Sequence, residues 1–477
     1  MSKRKTLNIL YATSECVPFA NSGGLGEVAG SLPRALNRKR NIDCRVIMPL
    51  YGQIADEFRE KMTFMGKGIV GVTWRQQYMG VFSLRYQGVT YYFIDNEYYF
   101  RRDSLYGHYD DGERFAYFSK AVFEALGIIE KDFMPDIIHA NDWQTAMIPV
   151  YQTSIYKRKY MKTVFSIHNV EYQGMYGASA FEDFLGVPDD YRHVLKFGDG
   201  VNLMKGAIEC ANIVSTVSPT YAGELKDPAF AFGMDGTIRR NEYKLRGILN
   251  GINRQLYDPE KDPYIAAPFS KADLKGKKAC KADLQKSLAL PESDAMLITM
   301  VSRLVPAKGM DLLREIIDDI LSKFNVQFVM LGTGDHEYEE FFHGLEARHP
   351  DQARCIIKFD AGLSHRIYAG GDLLLVPSRS EPCGLTQMIG CRYGDVPLVR
   401  RTGGLNDSIT DCTLGDGNGF VFDNYDSGSL YAAMANAIER YHDKENWQKL
   451  VKYDLSLDFG WSNSASEYRA MYESMFE

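Results

Sequence analysis

The chain has 477 residues, 45% hydrophobic and 25% charged, which is more than one ordinary core accommodates and contains no long polar tract of the disordered kind. Lys and Arg number 55 against 62 Asp and Glu, and this mildly acidic balance argues against a general nucleic-acid or anionic-membrane binder, so any phosphate recognition has to be local. No stretch approaches the roughly 18 to 20 apolar residues of a bilayer span, and eight cysteines without a CxxC pair suit reduced thiols better than a disulfide frame or a zinc site, so a cytoplasmic protein is expected.

In chain order, MSKRK carries basic residues ahead of LNILYAT, but that apolar run is strand-sized and lacks a small-residue cleavage pattern, so it reads as a first strand. CRVIMPL, TYYFID, DIIHAN, TVFSIHN and NIVSTVS follow, alternating with helical stretches. After the loop-like GILNGINRQLYDP a second series begins: MLITMVSRL, QFVMLGTG, CIIKFD, DLLLVPS, VPLVRRTGG and GFVFD. Two such series predict two doubly wound α/β domains joined near residue 250 and a cleft between them, with ligands beyond the carboxyl ends of the strands. WSNSASEYRAMYESMF predicts a terminal helix capped by Ser462 or Asn463.

The polar motifs follow strands directly. After the first strand, Gly23, Gly24 and Gly26 precede a helix whose free amides suit an anion, although a tight turn alone would also use glycine. HANDWQT brings His139, Asp142 and Trp143, and SIHNVEYQG brings His168, Asn169, Tyr172 and Gln173. Carboxylate, imidazole and aromatics in such loops suit carbohydrate, while a lone histidine more often sits in a core. Arg303 and Lys308, five residues apart after MLITMVS, can clamp a diphosphate whose charge grows as a sugar–phosphate bond breaks; taken singly each would be a solvated surface charge. Glu381, Pro382, Cys383, Gly384, Leu385 and Thr386 follow DLLLVPS, where the carboxylate can bind sugar hydroxyls or cap its helix, and the amides beyond it can hold phosphate. Arg401, Thr402, Gly403 and Gly404 form a second loop of that kind.

With these residues in view, SGGLGEV, HANDWQT, SIHNVEYQG, GILNGIN, VSRLVPAKG, LGTGD, PSRSEPCGLTQ and RTGGLNDS appear in the order found in bacterial glycogen synthases and plant starch synthases, and the chain resembles that family over essentially its full length. The resemblance implies the GT-B fold, two Rossmann-like doubly wound domains facing a central cleft. Residues 1–248 with a returning helix 461–477 would form the glucan domain, 254–460 the nucleotide-sugar domain, and 249–253 the hinge. It implies transfer of glucose from ADP-glucose to the non-reducing end of an α-1,4-glucan with retention of configuration, no cofactor and no metal. UDP-glucose as donor and a catalytically weakened glucan-binding homologue are the alternatives. By position, Arg303 and Lys308 match the diphosphate pair, Glu381 the acid on donor glucose, His168 the residue whose main-chain carbonyl faces the reacting carbon, and Asp142 the acceptor-side carboxylate. Asn21, Gly23, Gly24, Asn250, Gly332, Cys383, Gly384, Leu385, Thr386, Thr402, Gly403 and Gly404 fall at donor positions, and Trp143, Tyr172 and Gln173 at acceptor positions. The partners implied are a nucleotide sugar and a glucan, with no nucleic acid and no membrane; a plastid location would require a removed transit peptide. Two positions depart from the family: Asn21 stands where its glycine loop carries lysine, and Asn253 where aspartate is common.

Overall fold

The computed structural model describes residues 6–477, so the basic residues of the MSKRK start lie outside the described residues. The chain divides into two compact units, one running to Gly251 and taking in Trp461–Glu477, the other spanning Ile252–Gly460.

The first unit carries β1 (Leu7–Ala12), β2 (Ile42–Pro49), β3 (Thr63–Val72), β4 (Arg75–Tyr86), β5 (Val89–Asp95), β6 (Ile137–Asn141), β7 (Lys162–Ile167), β8 (Met175–Gly177), β9 (Lys196–Phe197), β10 (Gly200–Asn202), β11 (Ile213–Thr216) and β12 (Leu245–Gly247). Nine of them form one sheet in the order β12-β11-β7-β6-β1-β2-β5-β4-β3, and β8-β10-β9 form a small separate one. From β12 to β5 the pairs are parallel and the central strands are covered on both faces, which is why they read as continuous apolar runs. The β3–β4 ribbon is antiparallel and adds an edge that the run-by-run sequence reading does not contain. Its outward side exposes Phe64, Ile69 and Tyr78, so it lacks the polar alternation that marks a half-buried strand.

The terminal helix Trp461–Glu473 packs on helix Gly24–Asn37. Tyr472 Oη reaches His139 Nδ1 at 2.7 Å, Lys39 Nζ donates to Ser462 O at 2.9 Å, and Ser464 Oγ donates to Leu249 O at 2.6 Å. This helix starts at Trp461, not after a Ser462 or Asn463 cap, because Asp458 accepts the Gly460 N–H at 2.9 Å and turns the chain early.

The second unit is an all-parallel sheet of β13 (Met296–Val301), β14 (Val326–Gly332), β15 (Ala353–Ile357), β16 (Leu373–Val376), β17 (Val396–Arg400) and β18 (Phe420–Phe422), ordered β15-β14-β13-β16-β17-β18. Leu284, Leu297, Val329, Leu331 and Ile367 are part of an apolar cluster in its core. The parallel part of each of these two large sheets reverses its strand order once, the first between β1 and β6, the second between β13 and β16. In open α/β sheets, ligands bind beyond the carboxyl ends of the strands at that reversal. Among the described residues no helix is long and apolar enough to cross a membrane.

Candidate active site

At the reversal of the first sheet, the chain leaves β1 into Thr13, Ser14 and Glu15. Glu15 is buried, and its carboxylate accepts the Ser22 N–H at 2.6 Å, the Ser22 Oγ–H at 2.8 Å, the Tyr106 Oη–H at 2.7 Å and the Gly23 N–H at 3.2 Å. A remote carboxylate thus does the work of a helix cap, and the helix begins at Gly24, within the glycine cluster and not after it. A side chain at Gly23 or Gly24 would meet nothing within 4 Å, so these two backbones are left open to a ligand, whereas at Gly26 it would strike Asn21 Oδ1 at 2.3 Å. Asn21 is exposed, and its Oδ1 also accepts the Gly23 N–H at 3.1 Å. Sequence reasoning passed over Glu15; the only local signal is an acid three residues beyond a strand end.

Across the reversal, β6 ends in Asn141 and Asp142. Asp142 sits at φ 55, ψ −179, a conformation nearly reserved for glycine, and is held there by its own N–H to Ser166 O at 2.9 Å. Its Oδ1 accepts the His168 N–H at 2.7 Å and the Asn169 N–H at 3.4 Å. Burial pushes this carboxyl up to about 7 against the opposing pull of those two amides. Asn141 donates its amide to Ala12 O at 3.0 Å and His139 O at 3.2 Å, so its Oδ1 is the acceptor for Tyr11 Oη at 2.8 Å and His168 Nε2 at 2.9 Å. That assignment makes His168 the Nε2–H tautomer with Nδ1 unprotonated, and burial lowers its pKa to about 4. His139 is a core residue: fully buried between Tyr472 and Ser166, it is held by burial at about 3.

The residues expected on the acceptor separate. Trp143 is half-buried, edge-on to Phe115 with centroids 5.3 Å apart, and Tyr172 is 53% exposed. Gln173 is buried, its amide donating to Val170 O at 2.9 Å and Phe232 O at 3.0 Å while its oxygen accepts from Asn202 at 2.6 Å, so both its donors and one of its two acceptor sites are used inside the protein. Asn250, just beyond β12, is buried with an Oδ1 that finds no hydrogen-bond partner among the described residues.

In the second unit, Lys308 Nζ donates to Glu381 Oε2 at 2.5 Å, directly across the β13/β16 reversal, and Ser378 Oγ donates to the same oxygen at 2.9 Å. They line a small cavity with Ser302, Gly384 and Thr386. Arg303, the residue after Ser302, is exposed. The loops are shaped by glycine where a Cβ would collide with backbone: Gly309, at φ 79, lies against Pro377 O (2.2 Å), Gly332 against Ser302 O (1.8 Å), Gly403, at φ 42, against Glu381 O (2.0 Å) and Gly404 against Cys383 O (2.1 Å). The Gly404 N–H donates to Glu381 O at 3.1 Å, so the 401–404 loop is locked onto the 381–383 loop. Thr402 and Cys383 are buried in that junction, and Leu385 and Thr386 are half-buried where helix Thr386–Tyr393 begins. Gln387 staples the turn through Cys383 O (3.1 Å) and Gly384 O (3.0 Å), and the Arg400 guanidinium binds Ser378 O at 2.9 Å. Ser378 and Gln387 lie within PSRSEPCGLTQ and Arg400 within VPLVRRTGG, but nothing in those runs tells their roles apart from their neighbours'. Among the described residues, no group of three His, Cys, Asp or Glu is placed to hold a metal ion.

Residues 8–240 match the family model described as starch synthase catalytic domain, and residues 281–453 the one described as glycosyl transferases group 1. The chain is 44% identical to a glycogen synthase of Anoxybacillus flavithermus, over 98% of each chain, and 44% identical to one of Geobacillus stearothermophilus, over 99% of this chain and 98% of that one. The catalytic domain of starch synthase IV from Arabidopsis thaliana, bound to ADP and acarbose, superposes with a TM-score of 0.90 at 36% identity, covering 98% of this chain and 99% of that one. A sucrose-phosphate synthase from Thermosynechococcus elongatus shares only the fold, with a TM-score of 0.60 at 18% identity over 98% of this chain and 99% of that one. With identity spread over the whole length and the α/β architecture in agreement, the chain belongs to the glycogen synthase and starch synthase family of GT-B glycosyltransferases.

Proposed function

We propose that the protein transfers glucose from ADP-glucose to the non-reducing end of an α-1,4-glucan with retention of configuration and without a metal. The observation that carries the reading is the Lys308–Glu381 pair across the β13/β16 reversal, with Arg303 exposed in the same strand-to-helix loop as Lys308. In the proposed step, the acceptor 4-hydroxyl oxygen forms a bond to C1 of the donor glucose while the bond from C1 to the diphosphate oxygen breaks. The electron pair stays on the diphosphate, which takes the acceptor proton. Negative charge therefore grows on the leaving group, and the fixed cations Arg303 and Lys308 offset it more in the transition state than in the ground state. Glu381 fixes the Lys308 ammonium and offers its other oxygen to the donor sugar. On the acceptor side, the neutral His168 brings no competing positive charge to a carbon becoming cationic, and its main-chain carbonyl supplies partial negative charge. Asp142 holds that stretch through the His168 N–H.

The ADP and acarbose bound to the Arabidopsis relative support an adenosine diphosphate sugar as donor and a glucan as acceptor. The bacterial relatives and eight free cysteines support a cytoplasmic setting. The test is transfer of labelled glucose to glycogen in the presence of a chelator, with ADP-glucose and UDP-glucose offered separately. Incorporation from ADP-glucose is expected; incorporation from UDP-glucose alone would reassign the donor, and glycogen binding without transfer from either would leave a glucan-binding homologue.

A further inference from the structure

Phe232 stands at φ 48, a left-handed conformation that is an outlier for a bulky side chain, and the residue is 56% exposed. Burial therefore does not explain why the chain holds the ring in this place. The turn is fastened from the inside. Gln173 Nε2 donates to Phe232 O at 3.0 Å and to Val170 O at 2.9 Å, Asn202 Nδ2 donates to Gln173 Oε1 at 2.6 Å, and the same Asn202 amide lies 3.4 Å from Met234 Sδ. Both amide side chains are buried. The segment they fasten begins at His168, which is tied to Asp142, and it carries Tyr172, itself 53% exposed. Two exposed aromatic residues thus hang on one rigid frame shared with the acceptor-side loop.

We propose that Phe232, with Tyr172, is the platform for the glucose units that trail behind the reacting end of the acceptor, and that Gln173 is a positioning residue that presents it. The inference rests on the acceptor assignment above. A pyranose presents an apolar face of C–H groups that stacks on an aromatic ring, and local backbone strain is retained where a rigidly presented group serves a ligand. Because only trailing units would reach the platform, it acts on chain-length preference and not on chemistry.

The experiment compares maltose and maltoheptaose as acceptors at saturating donor, using the full-length wild type, Phe232→Ala, Phe232→Tyr and Gln173→Leu. Phe232→Ala is expected to raise KM for maltoheptaose by about tenfold, the worth of one good stacking contact, with maltose KM, donor KM and kcat unchanged. Phe232→Tyr should keep wild-type values, and Gln173→Leu should reproduce the Ala split if its thermal melt shows a folded protein. An equal rise for both acceptors, a fall in kcat common to both, or no change in either would overturn the proposal. If the wild type transfers glucose to neither acceptor, the synthase reading fails instead; calorimetric titration of maltoheptaose into wild type and Phe232→Ala then decides the platform by itself, equal affinities overturning it.

Discussion

The two strand-order reversals hold different kinds of machinery. At β13/β16 a cation and a carboxylate pair at 2.5 Å and Arg303 is exposed in the same strand-to-helix loop as the cation, whereas at β1/β6 the groups are a neutral imidazole, a buried amide, a carboxyl pushed towards its protonated form and the buried Glu15, whose oxygens are taken up by Ser22, Gly23 and Tyr106. On the proposed function, the cations of the β13/β16 reversal are the ones that meet the leaving diphosphate, and they speed the reaction only as far as they favour its growing charge over the ground state.

The sharpest way to break that comparison is to remove the charged side. Glu381→Ala frees the Lys308 ammonium and uncovers the Ser378 hydroxyl, and turnover is expected to fall by about 10³-fold while glycogen affinity holds, since the acceptor residues are elsewhere in the chain. Labelled-glucose transfer beside glycogen affinity electrophoresis reads both quantities, and unchanged turnover would remove Glu381 from the site.

Next in size is the neutral side. Asp142→Ala removes the oxygen that accepts the His168 N–H, and turnover is expected to fall by about 10²-fold, whereas Asp142→Asn keeps that oxygen and loses only the ionisation near pH 7, with any pH-rate limb there. The sign of the stability effect follows from the direction of the shift. The folded state holds a proton that the unfolded chain releases between about pH 4 and pH 7, so stability falls as pH rises through that window. Urea midpoints at pH 5 and pH 8 should show the wild type losing on the order of 1–2 kcal/mol relative to the Asn variant. Parallel pH dependence in the two proteins would mean that Asp142 ionises normally.

Much of this was legible in the sequence, for identifiable reasons. The runs that became β1, β6, β13 and β16 are buried on both faces and so are continuously apolar, and the polar residues that close them stand out by contrast. The order of strands in the sheet was not legible, because nothing local tells β6 or β16 to pair back with β1 or β13, and without it Lys308 and Glu381 are two residues 73 positions apart. Glu15 was missed for the same reason: the hydroxyl of Tyr106 on its carboxylate is 91 positions away. The internal bonding of Gln173 was not legible because YQG looks like a sugar-binding loop, while the amides that occupy its side chain belong to segments 29 and 59 residues further on.

A smaller effect tests whether the donor loops are a single rigid piece. Gly404→Ala would place a methyl about where Cys383 O already stands, 2.1 Å away, and a backbone carbonyl that accepts the Gln387 amide at 3.1 Å cannot retreat cheaply. A loss of about 1–3 kcal/mol in stability is expected, with donor KM raised about tenfold and acceptor KM unchanged. Thermal melts and donor saturation curves separate the two, and a rise in acceptor KM of equal size would show that the loop does not serve the donor alone.

The smallest effect concerns Asn21, where the charge asymmetry is greater than in the family pattern. Restoring lysine there would return a cation to the β1/β6 side. The structural cost is small, because the Gly23 N–H that Asn21 accepts at 3.1 Å is also accepted by Glu15 at 3.2 Å, so replacing the amide leaves that donor satisfied. The space above Gly23 and Gly24 is open, so a longer side chain has room. A hydrogen bond to a charged partner contributes about 1.5 to 3 kcal/mol where a neutral one contributes about 1. Asn21→Lys is therefore expected to lower KM for ADP-glucose a few-fold with kcat little changed and the melting temperature unaltered. A rise in KM would show instead that the neutral amide is matched to its donor, and that in this chain the reversal at β1/β6 has been kept free of positive charge.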